Sequence, residues 1–136
     1  MLFRSAVAAV PAHLHLVRPG YLHFNDLPGF FGGALVVAFP STGEGFGLPA
    51  LEAMACGAAV LTTHRTALPE VGGDAVAYTE PDADSIRVAL QALLEDPARR
   101  TALGEAGHTR ANEFSWAASA EAHMISYERA VGQAAE

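Results

Sequence analysis

The chain has no lysine. Its eight basic side chains are all arginine and stand against fifteen Asp and Glu, for a formal net charge of -7 over 136 residues. An acidic chain without a basic run is poorly built to grip nucleic acid or an anionic membrane surface, so no nucleic-acid partner is expected. Cysteine is almost missing too. Cys56 alone can form no intramolecular disulfide and cannot build a multi-cysteine metal cage, so a reducing cytoplasm is the natural compartment. Long apolar runs are absent: residues 34–39 reach about a third of the roughly 20 residues that a spanning helix needs. The apolar start, residues 2–10, is too short for a signal peptide, and His13 and His15 follow at once. What is present, 51% hydrophobic and 17% charged residues, suffices for one domain with a real core.

Short apolar runs alternate with helical stretches, which suggests parallel βαβ units. Residues 2–10 read as a helix ending before Pro11, and 13–17 as a short strand closed by Pro19 and Gly20. Asn25 or Asp26 is placed to cap a helix over 27–31, with Gly32 and Gly33 ending it. The uninterrupted run 34–39 reads as a strand covered on both faces. A glycine-rich loop leads into a helix over 48–56, with Pro49 in its first turn and Gly57 as its stop. Strands are expected at 58–63 and 76–79. After Pro81 only helices remain. Asp82 or Asp84 caps one with Ile86, Leu90, Leu93 and Leu94 on a face, Pro97 opens a second, and Ser115 caps a third. The chain thus divides into an α/β part, 1–81, and a helical tail, 82–136, within one partial domain.

Chemistry concentrates at residues 41–57, between a buried strand and a helix, at the carboxyl edge of the sheet where open α/β folds bind ligands. Gly43, Gly45 and Gly47 let the backbone approach a ligand closely, and the N–H groups of the following helix favour an anion such as phosphate. Glu52 stands in a helix otherwise apolar from 48 to 56, with no cation three or four residues away. A buried carboxylate without a partner is costly. Glu52 therefore either faces solvent or accepts hydrogen bonds from outside the helix, for which ribose hydroxyls would suit. Glu44, in the glycine loop, is within reach of whatever that loop holds.

Phe39-Pro-Ser41 followed by Glu44-Gly-Phe-Gly-Leu-Pro-Ala-Leu-Glu52-Ala-Met-Ala-Cys-Gly57 resembles the signature of family-4 retaining glycosyltransferases of GT-B fold. The resemblance extends through Leu68-Pro-Glu-Val71, Gly73-Asp-Ala75 and Pro81-Asp82 to Phe114-Ser-Trp116, with Gly20-Tyr21 and Asp26-Leu-Pro28 fitting upstream. It implies a partial Rossmann-like parallel sheet, the later half of a GT-B donor domain, followed by helices. It also implies that Glu44 contacts hydroxyls of the transferred sugar as the catalytic-site carboxylate. The amides around Gly45, Phe46, Gly47 and Leu48 would approach sugar and diphosphate, and Glu52 would take the ribose. The donor implied is a nucleoside-diphosphate hexose such as GDP- or UDP-hexose, with a sugar or lipid acceptor bound by a further domain, no separate cofactor and no metal. Such enzymes carry an acceptor domain and an early donor-domain portion that supplies an Arg and a Lys to the diphosphate. This chain matches neither, so little or no transfer is expected from it alone. A longer form could sit peripherally at the inner membrane.

Two rival readings differ in kind. The chain could be a non-catalytic nucleotide-sugar-binding or assembly module. Gly45-Phe-Gly47-Leu-Pro-Ala50 also satisfies the G-x-G-x-x-A dinucleotide fingerprint, with Arg65 available for the 2′-phosphate of NADP, although five residues separate the loop glycines from the strand. His13 and His15 share a strand face but lack a third metal ligand nearby. His64 lies at a strand end near the loop, within range of a ligand. Cys56 reads as a small core residue. Trp116 reads as a core anchor, and the helix face carrying Met124 and Tyr127 as a surface open to self-association.

Overall fold

A computed structural model of the chain describes residues 7–133. Three strands, β1 (Val37–Ala38), β2 (Val60–Thr63) and β3 (Ala77–Thr79), form one parallel sheet in the order β1-β2-β3. Val37 pairs with Val60, and Leu61 with Ala77. Every residue of β2 is buried, as its apolar run requires of a central parallel strand. β1 is different. Leu35 is 64% exposed and Ala38 is also exposed, so the expected two-sided burial of 34–39 does not hold. Among the described residues β1 is an edge strand, hydrogen-bonded toward β2 alone through Val37 N–H to Ala59 O (2.9 Å) and Phe39 N–H to Leu61 O (2.8 Å).

The expected strand at 13–17 is also absent. Residues 11–21 are exposed irregular chain, with Leu14, Leu16 and Val17 turned to solvent. Alternating sequence makes a strand only where a neighbour completes the ladder, and none of the described residues pairs with this segment. Of the helix expected over 2–10, residues 1–6 lie outside the described residues, and 7 and 8 are helical.

A 3₁₀ turn at Phe24–Asp26 leads into α1 (Leu27–Gly32); Asp26 occupies the cap position without a side-chain cap bond. Next come α2 (Leu48–Ala55), with Pro49 in its first turn as the sequence anticipates, and α3 (Leu68–Gly72), with Pro69 placed likewise. In α4 (Ala83–Glu95) the Asp82 carboxylate accepts the Ser85 N–H at 3.0 Å, so Asp82 and not Asp84 is the cap. Leu93 is buried and Ile86 and Leu90 half-buried, but Leu94 falls off that face. Asp96 caps α5 (Pro97–Ala111) by accepting the Arg99 N–H at 2.9 Å.

The core lies between the sheet and these helices. Met54, Val60 and Leu68 are fully buried on one side, and Leu61 and Leu93 on the other. α5 crosses α2 closely through Gly104 and Gly107: a Cβ at Gly104 would fall on the Gly57 carbonyl oxygen. The last helix, α6 (Trp116–Gln133), is started by Ser115, whose Oγ accepts the Ala118 N–H at 3.1 Å. Every residue from Ser115 to Gly132 is exposed. Trp116, at 83% exposure, is therefore no core anchor, because nothing described packs over α6. Met124, Ile125, Tyr127 and Val131 are exposed likewise. Among the described residues no helix is long and apolar enough to cross a membrane.

Candidate functional site

The loop from β1 to α2 is pinned to the sheet before it reaches the glycines. Thr62 Oγ1 donates to Phe39 O at 2.9 Å, and Thr63 Oγ1 donates to Ser41 O at 2.5 Å. Both threonines are buried on β2, so their hydroxyls need acceptors, and the loop carbonyls provide them. Ser41 in turn donates its O–H to Glu44 Oε1 at 2.7 Å, while the Gly43 N–H points at Ser41 Oγ from 3.4 Å. Glu44 is also held by its backbone, its N–H donating to Thr66 Oγ1 at 2.9 Å. The half-buried Glu44 is thus fixed at both ends, carboxylate from the β1 side and amide from the turn after β2.

Gly47 ends the loop as the N-cap of α2, at φ +99° and ψ +42°. Its carbonyl accepts the N–H of Ala50 (3.0 Å) and Leu51 (3.2 Å), starting the helix. A Cβ there would lie 2.7 Å from Leu68 Cδ2, so the position needs glycine for backbone conformation and for space. The other two loop glycines make no such demand. Gly43 and Gly45 have no positive φ and open space around them. Only one of the three glycines expected to shape the loop is sterically required.

Among the described residues nothing accepts the N–H of Gly45, Phe46, Gly47 or Leu48. These amides and the dipole of α2 make the loop end a favourable place for an anion. Gly45, Phe46 and Leu48 are exposed, and Phe46 and Leu48 retain 39% and 46% of their surface. Phe46 is steadied by Phe114, which it meets edge-on at 5.8 Å and 85°. Arg110 lies over the Phe114 ring at 4.9 Å and donates to Glu70 O (2.7 Å) and Val71 O (3.3 Å), tying α5 to α3 and to the loop.

Glu52 occupies the second turn of α2. The helix is buried through Ala50, Ala53 and Met54 but exposed at Leu48 and Ala55, so it is half-buried rather than enclosed. Glu52 is half-buried itself, and among the described residues its carboxylate has no hydrogen-bond or ion-pair partner. Of the two options open to it, the fold supplies no internal partner.

The remaining sequence candidates make other contacts. Arg65 is engaged with Glu80 at 3.0 Å in an exposed ion pair. His64 is exposed and stacks on Tyr78, with ring centroids 3.8 Å apart and planes 17° apart. Tyr78 donates its O–H to Gly73 O at 2.8 Å; burial raises its pKa, the Asp74 charge adds to the rise, and Arg110 opposes it. Cys56 is a half-buried free thiol at the end of α2, not a core residue. Among the described residues no three His, Cys, Asp or Glu side chains gather as metal ligands. Sequence reading missed Ser41, Thr63, Thr66 and Phe114 as supports of the loop. Hydroxyl residues flanking a glycine loop are the signal that was available, but the contacts join positions 22 apart.

A profile of the family described as Glycosyl transferases group 1 matches residues 11–110. The chain is 42% identical over 98 residues to an O-antigen chain mannosyltransferase B of Escherichia coli, covering 71% of this chain and 26% of that protein. It is 43% identical over 117 residues to a D-inositol 3-phosphate glycosyltransferase of Kineococcus radiotolerans, covering 78% of this chain and 27% of that one. In structure it is similar to sucrose-phosphate synthase from Thermosynechococcus elongatus, with a TM-score of 0.65, 32% identity and coverage of 76% of this chain and 27% of that one. The chain thus spans about a quarter of the length of each of these three proteins. The parallel sheet, the helices that follow it and the profile match agree, and the chain belongs to the glycosyl transferases group 1 family.

Proposed function

We propose that this chain carries the donor-binding part of a retaining hexosyltransferase that uses a nucleoside-diphosphate sugar such as GDP- or UDP-hexose. The observation that carries the reading is Glu52: a half-buried carboxylate that has no partner among the described residues, one helical turn beyond four amides that none of them engages. A bound nucleotide would answer both. Glu52 would accept the ribose hydroxyls, and the N–H groups of Gly45, Phe46, Gly47 and Leu48 would face the diphosphate. Glu44, turned toward the same loop and oriented by Ser41, would accept hydroxyl donors of the sugar. As the bond from the anomeric carbon to the diphosphate oxygen breaks, negative charge grows on that oxygen. Fixed amide dipoles at a helix start stabilise such charge without reorganising.

The acceptor, sugar or lipid, would be bound by a portion of a longer protein. On this reading the chain alone binds donor and transfers little. The names of the relatives favour a hexose such as mannose, since several are mannosyltransferases.

Calorimetric titration with GDP, UDP, ADP and NADP tests the proposal, beside Glu52→Ala. One nucleoside diphosphate should bind, and Glu52→Ala should weaken it by roughly 10- to 100-fold, the effect of losing hydrogen bonds to a charged group. The melting temperature should be unchanged. A variant that unfolds more easily yet binds as before would end the assigned role of Glu52. Preference for NADP, lost in Arg65→Ala, would support the dinucleotide reading instead.

A further inference from the structure

We propose that Thr66 is a positioning residue for Glu44, kept in a strained turn because its hydroxyl holds the Glu44 backbone; the functional side of this rests on the donor-site reading above. Among the described residues Thr66 is the one non-glycine residue with a positive φ, +49°. β-Branched residues rarely adopt that conformation, and observed outliers of this kind concentrate where a function fixes them. Thr66 sits in a turn closed by Leu68 N–H to Arg65 O at 3.1 Å, and Ala67 follows at φ -80° and ψ -11°. A positive φ at the first central position and a negative one at the second is the sign pattern of a type II′ turn, where glycine is the favoured first residue. Glycine would satisfy this turn. It would lack the hydroxyl.

That hydroxyl accepts the Glu44 N–H at 2.9 Å across 22 residues of sequence. Its turn is anchored on both sides by buried groups, Thr63 at the end of β2 and Leu68 at the start of α3. The contact therefore ties the Glu44 backbone to the sheet through a rigid connection. The Glu44 carboxylate, held by Ser41, is tied separately from the other side. Removing the Thr66 hydroxyl should free the Glu44 backbone while leaving the Ser41 contact and the sheet in place. A merely structural turn residue predicts the reverse: relieving its strain should stabilise the chain and leave Glu44 unchanged.

The test compares Thr66→Gly, Thr66→Val and Thr66→Ser in the full chain. Three quantities are read: melting temperature, hydrogen exchange of the Glu44 amide by NMR, and affinity for GDP and UDP against GDP-mannose and UDP-glucose. Thr66→Gly should melt no lower than the parent, yet its Glu44 amide should exchange roughly three- to tenfold faster, as expected on losing one hydrogen bond. Thr66→Val should speed the same exchange without relieving the turn. Thr66→Ser should keep the parent's exchange rate. In Thr66→Gly the gain in affinity from the attached sugar should shrink while nucleoside-diphosphate affinity stays. Unchanged Glu44 exchange in both Thr66→Gly and Thr66→Val, or equal loss in Thr66→Ser, would overturn the proposal. If the parent chain binds none of the four probes, the donor-site reading fails, and exchange and melting still decide the role of Thr66.

Discussion

Gly47→Ala puts the geometry of the loop end to a quantitative test. Two independent costs are expected. An alanine held in the left-handed region costs about 1–2 kcal/mol relative to glycine. The added methyl would also lie 2.7 Å from Leu68 Cδ2, and Leu68 is only 1% exposed, so it has little room to give way. Overpacking of this kind costs about 1–3 kcal/mol. The reduced freedom of the unfolded chain offsets about 0.4–1 kcal/mol. The net loss should be about 1.5–4 kcal/mol, or roughly 5–16 °C of melting temperature for a chain of this size. Urea and thermal unfolding followed by circular dichroism measure it. Gly45→Ala is the control, because that position has no positive φ and nothing within 4 Å; it should stay within about 0.5 kcal/mol of the parent. In a Leu68→Ala background the steric part should vanish and the backbone part persist, a coupling that a double-mutant cycle isolates. Equal effects at Gly45 and Gly47, or no coupling to Leu68, would refute the account of the loop end.

Two further predictions concern the scaffold around the site. Gly104→Ala should destabilise by about 1–3 kcal/mol or more in urea unfolding, because its methyl meets the Gly57 carbonyl and α5 must move off α2. Gly107→Ala, whose methyl would meet Met54 at an ordinary 3.4 Å, should be neutral or slightly stabilising. The Asp82 cap gives a pH signature: the hydrogen bonds from Ser85 hold its carboxyl below its ordinary pKa of 3.8. A depressed folded pKa means stability that is present above pH 3.8 and lost as pH falls through the lower folded value. Asp82→Asn keeps a good cap but not the titration, so its stability should fall less than the parent's below that pH; identical acid limbs in pH-resolved unfolding would count against the cap's contribution.

How much of this could be read from residues alone depended on what each signal needed in order to be true. β2 and α2 were legible because an apolar run and a Pro-to-Gly punctuated helix are local patterns that the core then rewards. Residues 13–17 carried the same alternation as a strand, but a strand exists only in a ladder, and sequence does not say whether a neighbour is there. For the same reason the run at 34–39 signals β1 but not its exposure, since its outer side has no described neighbour. Residue type alone suggests a core role for Trp116, but its exposure follows from α6 lying off the body. At the site the two glutamates and the loop could be picked out, because their composition is unusual for a helix start. Their supports could not. Ser41, Thr63 and Thr66 act through contacts that only folding creates, and Thr66 looked like an ordinary turn residue until its φ was known.

The charge around the loop sharpens what the rest of a longer protein would have to supply. The candidate site presents two carboxylates, Glu44 and Glu52, and four unengaged amides. Several cations elsewhere in the fold are engaged. Arg65 pairs with Glu80, Arg87 with Asp84 at 3.9 Å, and Arg100 donates to the Leu93 and Leu94 carbonyls at 2.7 Å each. Arg110 is shared among Glu113, two carbonyls of α3 and the Phe114 ring. Moving Arg100 toward the loop would uncap the end of α4, and moving Arg110 would open the α3–α5 junction. A diphosphate seated on the amides alone would carry its charge beside two carboxylates in a chain of net charge -7. Helix-terminal amides contribute about 0.3–2 kcal/mol per charge, which is less than an Arg–phosphate pair provides in a dry site. On the donor-site reading, Glu44 and Glu52 would set the geometry of the sugar and ribose, and much of the countercharge that makes the diphosphate a good leaving group would come from another part of a longer protein.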